Sequence, residues 1–205
     1  MTKTFAIVAA ALVAAVLAGT AWFVLQGGGD GDQFAQCRSS TTAGEIGGPF
    51  ELVNAAGETV TDAEVITEPS LIYFGYTFCP DVCPLDVDRN AMAVEILEER
   101  GKIVTPVFIT IDPLRDTPDV VGEFAGYMHP RMVGLTGSPE QIKSASQAYR
   151  TYYRTHEPDS DGEYLVDHST FSYLVMPEVG FVDFFRRELP PEELADKMAC
   201  FVENA

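Results

Sequence analysis

The sequence predicts an α/β domain in which helices cover both faces of a central sheet. Residues 70–76 and 103–111 are nearly continuous apolar runs, and such runs are typical of strands that are buried on both faces of a sheet. Between and after them lie stretches with apolar residues three or four apart, the spacing of surface helices. The 205-residue chain suits one such domain and leaves little room for two.

The predicted elements begin with a hairpin over residues 50–60, because two short apolar stretches flank an Asn/Gly turn there. The strand over residues 70–76 follows. A helix is predicted over residues 85–100, with Gly101 as its C-terminal stop. Its apolar stripe consists of Val87, Ala91, Val94 and Leu97. The next strand occupies residues 103–111.

The second half of the chain adds helices and a pair of strands. Thr117 and Ser138 each precede a proline, the pattern of a capping residue before the first helical residue. Helices are predicted over 117–127, 138–149 and 190–202, strands over 171–176 and 180–185, and a polar excursion over 157–163. This order of elements is that of a thioredoxin-like fold with an N-terminal β-hairpin extension.

An uncharged segment, residues 5–25, precedes the domain. At about 1.5 Å per residue its helix would cross a hydrocarbon core of roughly 30 Å. A signal peptide cleaved near residues 19–21 is the alternative, but the apolar run continues past that site. We therefore expect a single N-terminal transmembrane helix, and Lys3 places the N terminus in the cytoplasm by the positive-inside rule.

Three parts of the chain follow from these observations: a membrane anchor over residues 1–26, a flexible tether over 27–44 and the domain over 45–205. Glycine and aspartate dominate the start of the tether.

Asp and Glu number 31 against 13 Lys and Arg, a net charge of −18. So negative a surface argues against nucleic acid as a partner and against docking of the domain on anionic lipid.

Cys37 and Cys200 lie near the two ends of the predicted domain. Export of the domain across the membrane would place both cysteines in an oxidising compartment, where a structural disulfide is the usual outcome. The ends of a compact domain often lie close together, which favours this pairing. Free thiols or an intermolecular bond are the alternatives.

Cys79 and Cys83 lie where a buried strand ends and a helix begins. Backbone N–H groups and the helix dipole stabilise thiolates at such a position. The spacing places the two sulfurs one helical turn apart, so the pair could close a disulfide or hold one metal ion. A purely structural disulfide is the plainer alternative.

Residues 73–84, YFGYTFCPDVCP, resemble the signature of the Sco/SenC family of copper-binding, thioredoxin-like proteins. Blocks at 111–118, 134–138 and 166–175 agree with the family in order and spacing. The block at 134–138 matches a turn of the family. The similarity covers about residues 45–203 and includes the N-terminal anchor. Phe78 stands where many members carry histidine, and Cys37 and Cys200 are not part of the family signature.

The resemblance implies that His168, in the last block, joins Cys79 and Cys83 as a ligand of one copper ion. Two thiolates and an imidazole form a soft site that selects Cu(I), and Cu(II) is also tolerable. Zinc is the main rival, although a closed zinc site normally needs a fourth ligand. Otherwise His168 would be a surface histidine. We expect His129 to cap a helix or lie at the surface, and His156 to be exposed.

Two carboxylates lie near the predicted site. Asp81 stands between the cysteines, at the start of the helix. Asp112 ends a central strand, at the edge where such folds place their sites, so it is a candidate for supporting the site or contacting a partner. Arg115 and Asp116 are expected to pair locally and fix that turn.

The resemblance further implies a membrane-tethered metallochaperone. It would receive copper from an upstream periplasmic donor and deliver it to the dinuclear copper site of cytochrome c oxidase subunit II during assembly. The helix would lie in the inner (cytoplasmic) membrane and the domain in the periplasm. The alternatives are a thiol–disulfide oxidoreductase with Cys79 and Cys83 as catalytic residues, a redox or copper sensor, and, last, a peroxidase-like enzyme.

Overall fold

The computed structural model describes residues 12–22, 33–38 and 46–205, and residues 12–22 form helix α1. The chain divides into two compact units, Met1–Gln36 and Cys37–Ala205. Across the described ranges, no helix combines the length and apolar character needed to cross a membrane. The rest of the predicted anchor, and residues 27–32 and 39–44 of the predicted tether, lie outside the described residues.

The second unit is built on a seven-stranded mixed sheet with the strand order β2-β1-β5-β4-β3-β8-β9, while β6 and β7 form a separate two-stranded sheet. β3, β4 and β5 run parallel to one another, and the other pairs are antiparallel. The strands are β1 (Glu51–Asn54), β2 (Thr59–Thr61), β3 (Ser70–Gly75), β4 (Thr105–Thr110), β5 (Val133–Thr136), β6 (Tyr153–Thr155), β7 (Val166–His168), β8 (Ser172–Met176) and β9 (Gly180–Phe185).

Five helices accompany the sheet in the second unit. They are α2 (Asp62–Val65), α3 (Val82–Glu99), α4 (Pro118–Met128), α5 (Pro139–Ala148) and α6 (Pro191–Glu203). α3 packs on α6, α4 on β5 and α5 on β1. Every residue of β3 and of β8 is buried. Because successive side chains of a strand point to opposite faces, both faces of these central strands are covered, as the apolar runs predict.

The hairpin, the buried strands and the longer helices lie where the sequence predicts them, but α3 begins at Val82 rather than at residue 85. Cys83 therefore lies inside the first helical turn. Pro84 is compatible with this start, because the first N–H groups of a helix have no intrahelical acceptor. The block at 134–138 does not form only a turn, since its first three residues belong to β5.

A disulfide joins Cys37 to Cys200 of α6, with the two Cα atoms 5.6 Å apart and the two residues 163 positions apart in the sequence. The structure thus confirms the predicted pairing over free thiols or an intermolecular bond. The bond ties the beginning of the second unit to its last helix.

Candidate metal centre

Cys79, Cys83 and His168 come together at the end of β3. Their sulfur and imidazole nitrogen atoms all lie within 4.8 Å of one another. The Sγ atom of Cys83 lies 3.2 Å from Nε2 of His168, and the backbone N–H of Cys83 donates a hydrogen bond to Sγ of Cys79 over 3.3 Å. Three donors so arranged could hold one metal ion.

The two cysteines owe their positions to the strand-to-helix junction. Cys79 lies in the connecting loop, where its N–H donates to the carbonyl of Tyr76. Cys83 is fully buried and packs against Gly75, the last residue of β3. A Cβ atom on Gly75 would lie 2.8 Å from Cε1 of Tyr73 and 3.1 Å from Sγ of Cys83. Only glycine therefore lets the helix bring this sulfur so close to the strand.

His168 reaches the cysteines from the small sheet. It is the last residue of β7 and is paired with Tyr153 of β6. Its Nδ1 atom lies 2.8 Å from the carbonyl oxygen of Ser169. A carbonyl can only accept a hydrogen bond, so Nδ1 carries the proton and the lone pair of Nε2 faces the sulfur of Cys83. This is the tautomer that a metal ligand requires.

The two thiols are electrostatically unequal. The hydrogen bond from the Cys83 thiol, together with backbone N–H groups at the start of α3, lowers the pKa of Cys79 to about 4. For Cys83, donation of that bond and burial both raise the pKa above its ordinary value. Without a metal ion, the reduced pair therefore holds a half-buried thiolate at Cys79 and a buried neutral thiol at Cys83.

This inequality predicts an unusual pH profile of alkylation. With the metal-free pair reduced, iodoacetamide should modify Cys79 before Cys83. The rate at Cys79 should stay nearly constant between about pH 6 and 8 and fall only as the pH drops toward about 4. An ordinary thiol, with a pKa of about 8.5, would react about tenfold faster for each pH unit over the same range. Mass spectrometry of each cysteine measures both rates.

Cys83→Ala is the matched control for this profile, because it removes the thiol that donates to Cys79. In this variant the alkylation rate at Cys79 should acquire a pH dependence in the neutral range. A tenfold rise per pH unit in the unmodified chain would show that Cys79 is an ordinary thiol.

A cluster around Asp112 joins the main sheet to the segment that carries His168. Nε of Arg115 donates to Asp112 over 2.5 Å, and the hydroxyl of Tyr164 donates to the other carboxylate oxygen over 2.7 Å. The guanidinium of Arg115 also stacks over the ring of Tyr164, 3.7 Å from its centroid. Asp112 thus lies at the site edge, as its position at the end of a strand predicts, and helps to hold the residues before β7.

The predicted pairing of Arg115 with Asp116 is wrong, because Arg115 turns toward Asp112 instead. Asp116 is fully buried and accepts hydrogen bonds from the backbone N–H and hydroxyl of Thr77 and from the hydroxyl of Thr110. Burial raises the pKa of its carboxyl group. Asp116 therefore fixes the loop that leads to Cys79, a role that its place in the sequence does not reveal.

The other two histidines lie outside this group of donors. His129 follows α4, and its backbone N–H caps the helix by donating a hydrogen bond to the backbone carbonyl of Ala125. It is buried, with Nδ1 accepting from the N–H of Arg131 over 3.1 Å, so of the two predicted roles the capping role is confirmed and the surface role is not. His156 is exposed as predicted, and its Nε2 lies 2.8 Å from a carboxylate oxygen of Asp167.

The fold and the site together define a thioredoxin-like protein with a candidate soft-metal centre of two sulfurs and one imidazole nitrogen. The family model described as SCO1/SenC matches residues 38–203, and the chain belongs to that family. Protein SenC of Rhodobacter capsulatus is 55% identical over 174 residues, which make up 84% of this chain and 78% of the relative.

Two similar solved structures carry copper. Arabidopsis thaliana ScoI with copper bound superposes with a TM-score of 0.72 at 43% identity, covering 78% of this chain and 97% of that one. Bradyrhizobium japonicum ScoI with copper bound gives a TM-score of 0.68 at 36% identity, covering 75% of this chain and 98% of the other.

Proposed function

We propose that this protein binds one copper ion through Cys79, Cys83 and His168 and delivers it to the dinuclear copper site of cytochrome c oxidase subunit II during assembly. The convergence of the three donor atoms within 4.8 Å carries the proposal. The copper in the related ScoI structures supports the choice of metal. Membership of the SCO1/SenC family supports a role in oxidase assembly.

The chemistry of the donors suits cargo that must be released. Thiolate and imidazole are soft ligands that bind Cu(I) well. Three protein ligands leave a coordination position to an incoming ligand, so a receiver can bind the ion before this protein lets go. Cys79 is half-buried whereas Cys83 is fully buried, and the receiver would therefore approach from the side of Cys79.

The protein would act at the inner membrane. A retained anchor over residues 1–26 would hold the domain at the periplasmic side of the inner membrane, where an upstream copper donor would load it. The uncharged residues 5–25 and the position of Lys3 support this arrangement. The tether over 27–44 would let the domain over 45–205 reach both its donor and its receiver.

A thiol–disulfide oxidoreductase is the second candidate, because the unequal thiols suit its chemistry. The Cys79 thiolate would attack a disulfide of the target, forming a mixed disulfide and expelling one target thiolate. Cys83 would lose its proton and attack Cys79, which releases the second target thiolate and leaves a Cys79–Cys83 disulfide. The target gains the two electrons that the cysteine pair loses.

Transfer between purified proteins separates the two candidates. The copper-loaded full chain is mixed with the copper-free, reduced soluble domain of subunit II, the two proteins are separated again, and the copper content of the acceptor is measured. We expect copper to appear in the acceptor with the unmodified chain and not with Cys83→Ala. In the second arm, the copper-free chain meets the acceptor in its disulfide form. Reduction of the acceptor without any copper transfer in the first arm would replace delivery by thiol exchange as the function.

A further inference from the structure

An open cavity of about 500 Å³ is lined by the residues on either side of Cys79 in the chain. Phe78 and Pro80, the neighbours of Cys79 in the chain, form one part of its wall, and Tyr164 and Leu165, just before β7, form another. We call it the flanking cavity. Its walls come from the segments next to the candidate ligands, so they lie near the approach of a protein that would take an ion from Cys79.

The wall of the flanking cavity presents large apolar side chains to solvent. Phe78 is 51% exposed and Leu165 is 55% exposed. A single exposed apolar residue needs no explanation, but here two share one concave surface next to the candidate metal centre. Burying an apolar anchor against them would contribute favourable free energy, as at the centre of a protein interface.

The rim of the flanking cavity is acidic. Glu157, Asp159 and Glu163 line it, and all three are exposed. Arg115 and His156 also line it. The guanidinium of Arg115 is bound to Asp112 and lies 3.5 Å from the carboxylate of Glu163, and the imidazole of His156 lies 2.8 Å from a carboxylate oxygen of Asp167. The positive charge is thus locally compensated, and the rim presents an excess of carboxylates to an approaching partner. The net charge of −18 on the whole chain acts in the same direction at long range.

From this combination we infer that the flanking cavity is a docking site for a partner protein whose segment carries an aromatic side chain between lysines or arginines. The aromatic ring would pack against Phe78 and Leu165, and the cations would meet the acidic rim. This inference deepens the proposed function, since the partner is then the protein that exchanges copper at Cys79. Such an arrangement, an apolar anchor within a charged rim, gives affinity at the centre and rate and specificity at the edge.

A peptide titration tests the surface without any copper. The ¹⁵N-labelled full chain is titrated with the peptide acetyl-Gly-Lys-Phe-Lys-Gly-amide, and heteronuclear NMR follows the amide signals. We expect saturable shifts at Phe78 and at residues 163–165, weakened by added salt. Gly-Lys-Ala-Lys-Gly should bind at least about tenfold more weakly because it lacks the anchor, and Gly-Glu-Phe-Glu-Gly should not bind, because like charges meet.

Leu165→Lys is the critical variant, since it removes an apolar contact and adds repulsion to an exposed position outside the ligand set. It should abolish saturable binding of the Lys-Phe-Lys peptide. Val179→Lys is the matched control, because Val179 is similarly exposed, at 53%, in the turn between β8 and β9. Shifts that saturate equally with the acidic peptide, or that persist in Leu165→Lys, would overturn the inference. So would shifts on dilution of the protein alone, which would assign the cavity to a second copy of the chain.

Copper transfer distinguishes failure of this inference from failure of the proposed function. Leu165→Lys should bind copper as tightly as the unmodified chain and transfer it to subunit II at least about tenfold more slowly, while Val179→Lys should transfer normally. Equal transfer rates for both variants would refute the docking site and leave delivery standing. No transfer by the unmodified chain would refute delivery to subunit II, and the peptide titration would then decide the docking site alone.

Discussion

His168→Ala should lower the affinity of the reduced full chain for Cu(I) by at least about a hundredfold. Loss even of a group that only orients a metal ligand costs about 10- to 100-fold in affinity, and here the proposed ligand itself is removed. The Nε2 lone pair of His168 faces Cys83 because Nδ1 is engaged by the carbonyl of Ser169, and alanine offers no substitute. Competition with a Cu(I) chelator measures both the stoichiometry and the affinity.

His156→Ala is the matched control, because His156 is exposed and lies against Asp167 rather than the cysteines. Its copper affinity should equal that of the unmodified chain. Disulfide exchange by the copper-free His168→Ala variant should stay largely intact, since both thiols remain. Unchanged copper affinity in His168→Ala would remove this histidine from the ligand set.

The second large effect concerns stability. Replacing both Cys37 and Cys200 by serine should lower the free energy of unfolding by about 5 kcal/mol, the value that the chain-entropy model gives for so long a loop. The cross-linked residues are 163 positions apart, so their bond restricts most of the unfolded domain. Urea unfolding of the copper-free protein, followed by circular dichroism, measures the difference.

Val179→Lys supplies the comparison for this stability measurement. Val179 is 53% exposed in the turn between β8 and β9, so its replacement should leave the urea midpoint nearly unchanged. The Cys37→Ser/Cys200→Ser variant should still bind one copper ion, because neither residue belongs to the candidate metal centre. A loss of stability below about 1 kcal/mol would mean that the unfolded chain is already compact without the bond.

The sequence predicts the local part of the site better than the distant part. Cys79 and Cys83 could be assigned because one helical turn relates them, and that relation depends only on neighbouring residues. His168 lies 85 positions from Cys83, and only the topology of the fold or the family resemblance brings it to the cysteines. The inequality of the two thiols depends on the hydrogen bond between them and on the burial of Cys83, and the spacing alone does not show which thiol donates and which is buried.

Short elements and side-chain networks escaped prediction for related reasons. β6 and β7 span three residues each and β5 four, too few for an apolar period to stand out. Asp116 looks like an ordinary loop carboxylate in the sequence. Its hydrogen bonds run to Thr77 and Thr110, and the bond to Thr77 exists only after β3 and β4 have paired. Its role therefore appears only in the folded chain.

The separation of the two sheets has a mechanical consequence for the proposed release of copper. Within the described residues, β6 and β7 pair only with each other, so side-chain contacts, such as that of Tyr164 with Asp112, hold His168 near the cysteines. An ion bound by all three ligands would clip the small sheet to the large one and add its binding free energy to that of the fold. A receiver that removes the ion would break this link between the two sheets. The hairpin of β6 and β7, which carries His168, would then become looser.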